Sequence, residues 1–197
     1  MRYILLGIVS VLLLGCSEKP VVSDLTVHYQ QPKLIKPFAL TDQHGEILTE
    51  QDLPGQWTLL FLGYTSCPDI CPMTLAKLAQ VHQRLQNSVP LSIWFISVDP
   101  QRDTVEKRQA YIDYFNHEFK AMSGPHATLF PFVRDIGLIY AINNSEDSEY
   151  YVDHSASVAL INPNGELAAI FKAKYTANEI PLIDVATLIS DFNLIAM

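Results

Sequence analysis

The sequence predicts an α/β domain, a mixed β-sheet flanked by helices. Two nearly continuous apolar runs, Trp57–Leu62 and Leu91–Val98, have the composition of buried strands. Helical spacing follows each run, which gives the strand–helix–strand–helix order of an α/β sheet. A third pair of apolar segments flanks Asn162-Pro163-Asn164-Gly165, a turn sequence that closes a hairpin.

In chain order, residues 24–33 read as an extended lead-in. Lys36–Leu48 reads as a hairpin turning at Gln43-His44-Gly45. Leu53-Pro54-Gly55 is a turn, and Trp57–Leu62 is the first core strand. Gly63–Pro72 is a loop. Met73–Leu85 then has apolar residues at 75, 78, 81 and 85, with Pro72 suited to a first helical turn. Leu91–Val98 is the second core strand, stopped by Asp99-Pro100. Thr104 is expected to cap a helix running to Phe115. Thr128–Tyr140 is expected to be helical, with Pro131 in its first turn or at a bend. Asn143–Glu149 is a polar, acidic loop. Ser155–Ile161 and Glu166–Ala173 form the hairpin, and Ile180–Phe192 is a closing helix.

The 197 residues suffice for one domain with a core, and 49% apolar against 17% charged content is globular. A net charge of −8 argues against a nucleic-acid partner, since a phosphate backbone requires a basic face. The N-terminus reads as a targeting segment. Arg2 precedes the apolar stretch Tyr3–Leu14, which is too short to span a bilayer. Leu13-Leu14-Gly15-Cys16 resembles the lipobox of bacterial lipoproteins, which implies removal of residues 1–15 and lipidation of Cys16. The alternatives are an ordinary exported signal or an uncleaved anchor. The expected organisation is a signal peptide over 1–15, a lipidated N-terminus and tether over 16–33, and a domain over 34–197. The expected location is the bacterial cell envelope, with the domain facing the periplasm or the cell exterior.

Once Cys16 is assigned to lipid, two of the three cysteines remain, both in Tyr64-Thr-Ser-Cys-Pro-Asp-Ile-Cys-Pro-Met73. Residues four apart on a helical turn have Cα atoms about 6 Å apart, within disulfide range. An exported pair can oxidise to a disulfide, whereas a reduced pair can hold a soft metal. Cys67 and Cys71 close the first core strand and open a helix, a thioredoxin-like arrangement. The helix N-terminus favours thiolate, so at least one thiol is expected to be acidified. A bare Cys-x3-Cys pattern is also compatible with a static disulfide or two buried thiols.

Three blocks together resemble the Sco/SenC family of copper proteins that serve assembly of cytochrome c oxidase. They are Gly63-Tyr-Thr-Ser-Cys-Pro-Asp-Ile-Cys-Pro-Met-Thr74, Ser97-Val-Asp-Pro-Gln-Arg-Asp-Thr104 and Tyr151-Val-Asp-His-Ser-Ala-Ser157. The resemblance implies copper ligation by Cys67, Cys71 and His154. Ser66 departs from it, because many members have histidine there. Two thiolates and an imidazole suit Cu(I), and the imidazole also tolerates Cu(II). The implied partners are the copper-bearing subunit of cytochrome c oxidase or another copper carrier. A Cys67–Cys71 disulfide and bound copper would exclude each other.

Around this set, Asp153 is a candidate partner for the histidine or a loop amide, with a turn residue as the alternative, and Asp69 is a candidate helix cap or loop-tuning group. Asp99, Arg102 and Asp103 are expected to pin a loop, and Tyr64 to pack. Glu146, Asp147 and Glu149 read as a solvated face. His28, His44, His82, His117 and His126 are read as ordinary histidines. A thiol–disulfide oxidoreductase that keeps a copper-receiving protein reduced is the main alternative function. Val152-Asp-His-Ser-Ala156 lacks the proline of thioredoxin-type enzymes, which favours metal binding. A peroxidase acting through Cys67 lacks supporting residues, and a Cys2His zinc site shares the same ligands.

Overall fold

The computed structural model describes residues 21–143 and 150–196. Residues 1–20, with the leader and Cys16, lie outside the described residues, as do Glu146, Asp147 and Glu149. Among the described residues, no helix is long and apolar enough to cross a membrane.

Ten strands and four α-helices make up the described chain: β1 (Thr26–Leu34), β2 (Ala39–Thr41), β3 (Ile47–Thr49), β4 (Trp57–Gly63), α1 (Ile70–Leu85), β5 (Leu91–Ser97), α2 (Val105–Asp113), β6 (Lys120–Met122), α3 (His126–Asp135), β7 (Tyr140–Ile142), β8 (Val152–His154), β9 (Val158–Ile161), β10 (Glu166–Phe171) and α4 (Val185–Ala196). Six strands form the central sheet in the order β1-β10-β9-β4-β5-β6. The β4–β5 and β5–β6 pairs are parallel, and the β4–β9, β9–β10 and β10–β1 pairs are antiparallel. This mixed sheet with flanking helices is the expected thioredoxin-like fold. Its N-terminal β2–β3 hairpin also forms as expected.

Apolar runs become central strands here because both sheet faces are covered. Leu59 through Leu62 and Ile93 through Ile96 have no exposed surface, so the polar-out alternation of a half-solvated strand is absent. The helix α1 packs on β5 and α4, and Phe192 of α4 meets Trp57 edge-on at 5.3 Å.

Several boundaries differ from the sequence reading. The lead-in is a sheet strand: β1 pairs with β10, and its approach is fixed by buried Asp191, which accepts from the Ser23 amide (3.1 Å), Ser23 Oγ (2.6 Å) and Thr26 Oγ1 (2.6 Å). Residues 26–34 are thus paired into the central sheet. The helix α1 starts three residues before Met73, which brings Cys71 into its first turn. Gly137, at φ +75°, turns the chain after α3, so Tyr140 enters β7 instead of extending the helix. Pro131 sits inside α3 rather than in its first turn. The closing helix starts at Val185, where the Asp184 carboxylate accepts from the Thr187 amide at 2.8 Å.

Buried Arg108 on α2 joins separate parts of the fold. Its guanidinium donates to the carbonyls of Asp103 (2.8 Å), Thr41 (3.0 Å), Asp42 (3.0 Å) and Ala121 (3.4 Å). Replacing it removes donors from carbonyls that water cannot easily reach. Arg108→Leu is expected to destabilise the fold by about 2–4 kcal/mol, lowering the thermal midpoint by roughly 5–15 °C. Calorimetry at neutral pH checks this; an unchanged midpoint would refute the assignment.

Candidate metal centre

The strand β4 ends at Gly63, and the chain then loops through Cys67 into α1. Cys71 is the second residue of that helix and has no exposed surface, whereas Cys67 precedes the helix and is 8% exposed. A glycine at 63 is needed for this seating. A Cβ there would lie 2.8 Å from Cys71 Sγ and 2.6 Å from a Phe95 ring carbon. The sequence reading gave Gly63 no role, since close approach of a distant ring leaves no local pattern.

His154 arrives from β8. Strand alternation turns its ring inward with Val152, while Asp153 points to solvent. The Nε2 atom of His154 lies 3.3 Å from Cys71 Sγ, and Nδ1 lies 3.1 Å from the Ser155 carbonyl oxygen. That carbonyl can accept a hydrogen bond from Nδ1–H, which leaves Nε2 as the nitrogen facing the sulfurs. Tyr64 and Phe61 meet the imidazole edge-on at 6.2 and 6.0 Å.

The donor atoms of Cys67, Cys71 and His154 all lie within 4.8 Å of one another. Donors about 2.0–2.3 Å from a shared ion stand roughly 4 Å apart, so small adjustments would complete a three-ligand site. Two sulfurs and one imidazole nitrogen suit a soft ion. A cleft of about 420 Å³, whose walls include Cys67, Tyr151, His154 and Ile180, opens onto the cluster.

The two thiols, both free, differ in character. A hydrogen bond from Cys71 lowers Cys67 to about 4 despite its burial, helped by His154 and the backbone of Cys71 and Asp69. Burial, followed by the neighbouring Cys67, drives Cys71 upward. Burial and then the Cys67 charge push Tyr64 up to about 12. One thiolate beside the cleft is thus backed by a more deeply buried thiol.

Other expected roles change. Asp153 takes the loop-amide alternative, accepting from Asn143 Nδ2 at 2.6 Å. Asp69 occupies the N-cap position of α1, but its side chain makes no capping bond. Tyr64 does more than pack, since it borders the histidine. Ser66, the departure from the resemblance, is exposed. His126 bonds the Tyr140 hydroxyl at 2.8 Å, and His82 packs edge-on to Phe119, both away from the sulfurs.

Comparison with known proteins gives consistent results. The SCO1/SenC family model matches residues 26–189. An SCO2-like protein of Rickettsia prowazekii is 36% identical over 170 residues, covering 85% of this chain and 83% of the relative. The mitochondrial SCO1 homologue of Homo sapiens is 36% identical over 157 residues, covering 78% of this chain and 52% of that protein. The crystal structure of Arabidopsis thaliana ScoI with copper bound superposes with a TM-score of 0.69 at 33% identity, covering 83% of this chain and 96% of that one. With the match extending from β1 into α4, the chain belongs to the SCO1/SenC family.

Proposed function

We propose that this protein carries copper, held by Cys67, Cys71 and His154, for assembly of the copper centre of cytochrome c oxidase. The observation that carries the proposal is the convergence of two thiols and one imidazole at the mouth of an open cleft. Copper bound in the Arabidopsis relative supports the choice of ion. As cargo, copper needs a site that leaves it accessible to a recipient, and three protein ligands do so. The recipient is the copper-bearing oxidase subunit or another copper carrier.

Exchange with a partner's disulfide would oxidise Cys67 and Cys71 to a disulfide, pass two electrons and the thiol protons to the partner's two sulfurs, and replace both thiolate donors by one S–S bond. On this reading the disulfide is the empty state and the dithiol the copper-accepting state. Anchoring through lipidated Cys16, after loss of residues 1–15, would hold the domain at the bacterial cell envelope. A second reading, thiol–disulfide exchange with a copper-receiving protein, is favoured by the acidified Cys67 backed by buried Cys71.

An anaerobic titration of the reduced domain is expected to show one copper per chain by absorption and electron spin resonance. Undiminished binding in the Cys67→Ala, Cys71→Ala double variant would remove the site. His154→Ala is expected to weaken Cu(II) binding by more than about tenfold while the thiol count stays unchanged. Equal Cu(II) affinity would exclude the histidine. Metal-free turnover with a disulfide partner, independent of His154, would favour the exchange reading.

The acidified thiol has its own signature. In reduced, metal-free protein, alkylation of Cys67 should stay nearly constant from pH 8 to 6. An unperturbed thiol would slow by about tenfold per pH unit below its pKa of roughly 8.5. Such a slope at Cys67 would contradict the geometry.

A further inference from the structure

The segment Ser97–Thr104 supplies no ligand, yet its two buried aspartates each hold one side of the metal cluster. Asp99 and Asp103 are both 1% exposed. The segment leaves β5 beside the cysteine strand: Ser97 pairs with Gly63, and the Val98 amide donates to the Gly63 carbonyl at 2.9 Å. Asp103 then turns towards the cysteine loop. Its carboxylate accepts from the Thr65 amide (2.8 Å), Thr65 Oγ1 (2.6 Å) and Ser97 Oγ (2.6 Å). Thr65 is two residues before Cys67.

Asp99 turns the other way. It accepts from the Tyr150 hydroxyl at 2.5 Å and pairs with Arg102 through Nε. Arg102 lies over the Tyr150 ring, 3.7 Å from its centroid, and 5.5 Å from the centroid of Tyr64. Tyr150 precedes β8 by two residues and His154 by four. The β7–β8 pair that carries His154 is a separate two-stranded sheet outside the six-stranded one. It is held by buried Tyr140 and Val152 and by its short run into β9, and side-chain ties such as this one add to that hold. The two aspartates are themselves joined, because the Asp103 amide donates to the Asp99 carbonyl at 3.0 Å.

We propose that Ser97–Thr104 is a two-armed clamp that sets the spacing between the cysteine and histidine ligands. Asp103 holds the cysteine loop through Thr65, while Asp99 and Arg102 hold the histidine hairpin through Tyr150. This role rests on the three-ligand reading of the site. None of the clamp residues belongs to the ligand cluster; they are positioning residues. Because the arms are distinct, each can be cut without cutting the other.

Tyr150→Phe removes the hydroxyl bond to Asp99 and keeps the ring under Arg102. In metal-free protein the His154 ring resonances should shift or broaden. On copper loading, Cu(II) affinity should fall by about tenfold, the loss of one hydrogen bond to a charged group, with an altered spin-resonance spectrum. Cu(I) affinity should change by less than about threefold, since the two thiolates remain. Arg102→Lys keeps the charge, loses the flat stack, and should move the same readouts.

Thr65→Val removes one bond to Asp103 and keeps the side-chain shape. Amide exchange at residues 65–69 should accelerate by about tenfold, and Cu(I) affinity should fall, while the His154 resonances stay native. The clamp is overturned if all three variants only lower the thermal midpoint and leave His154 resonances, loop exchange and the Cu(II) spectrum unchanged. It is also overturned if both arms move the same readouts. If native protein takes up no copper, the carrier reading fails, and the metal-free resonances and exchange rates still decide the clamp.

Discussion

The close contact of the Cys71 sulfur with bare backbone at Gly63 is the constraint on which the metal-binding end depends. It brings the first turn of α1 against the end of β4, and it buries one sulfur completely. Burial keeps that sulfur protonated, and its proton then stabilises the charge on Cys67. The unequal pair is thus a packing result first and an electrostatic result second. His154 meets this buried sulfur across the cleft, so one short distance links both halves of the cluster.

The sheet supplies the rigidity that such contacts require. Two central strands with no exposed surface carry Gly63 and Ser97 side by side at their C-terminal ends. From that edge the chain leaves twice, once into the cysteine loop and once into the aspartate segment. The hydrogen bonds between those departures are short and partly buried, and they tie each departure to the other. The histidine hairpin has less support of its own, which is why the contacts of Tyr150 and Tyr64 matter there.

Legibility in the sequence followed the strength of the local signal. The strands β4 and β5 were readable because eight or fewer apolar residues in a row have few other solutions. The β9–β10 hairpin was readable from Asn162–Gly165. The three-residue strands β6 and β7 left no pattern, since a short strand owes its existence to its neighbour. The helix α1 starts early because tertiary seating of Cys71 overrides the weak helical signal of Pro68–Pro72. Gly137 was the missed stop for α3. At the site, Cys67 and Cys71 were legible as a disulfide or metal pair from their spacing and placement, whereas His154 joined them only through three blocks taken together. Strand alternation turns Asp153 outward, which selects the loop-amide partner over the histidine, and Tyr64 was undervalued because ring contact with His154 is non-local.

The register of the central sheet has one more consequence. Thr26, Phe171, Val158 and Phe61 lie in one rung across β1, β10, β9 and β4. Three strand spacings separate the ends of that rung, roughly 14 Å. The first described residues therefore join the domain in the same half as the sulfurs, and far from the Asn162–Gly165 turn. A leash attached before residue 21 would hold this molecule by its working end. On the proposed function, copper transfer would then take place on the side of the domain that faces the leash.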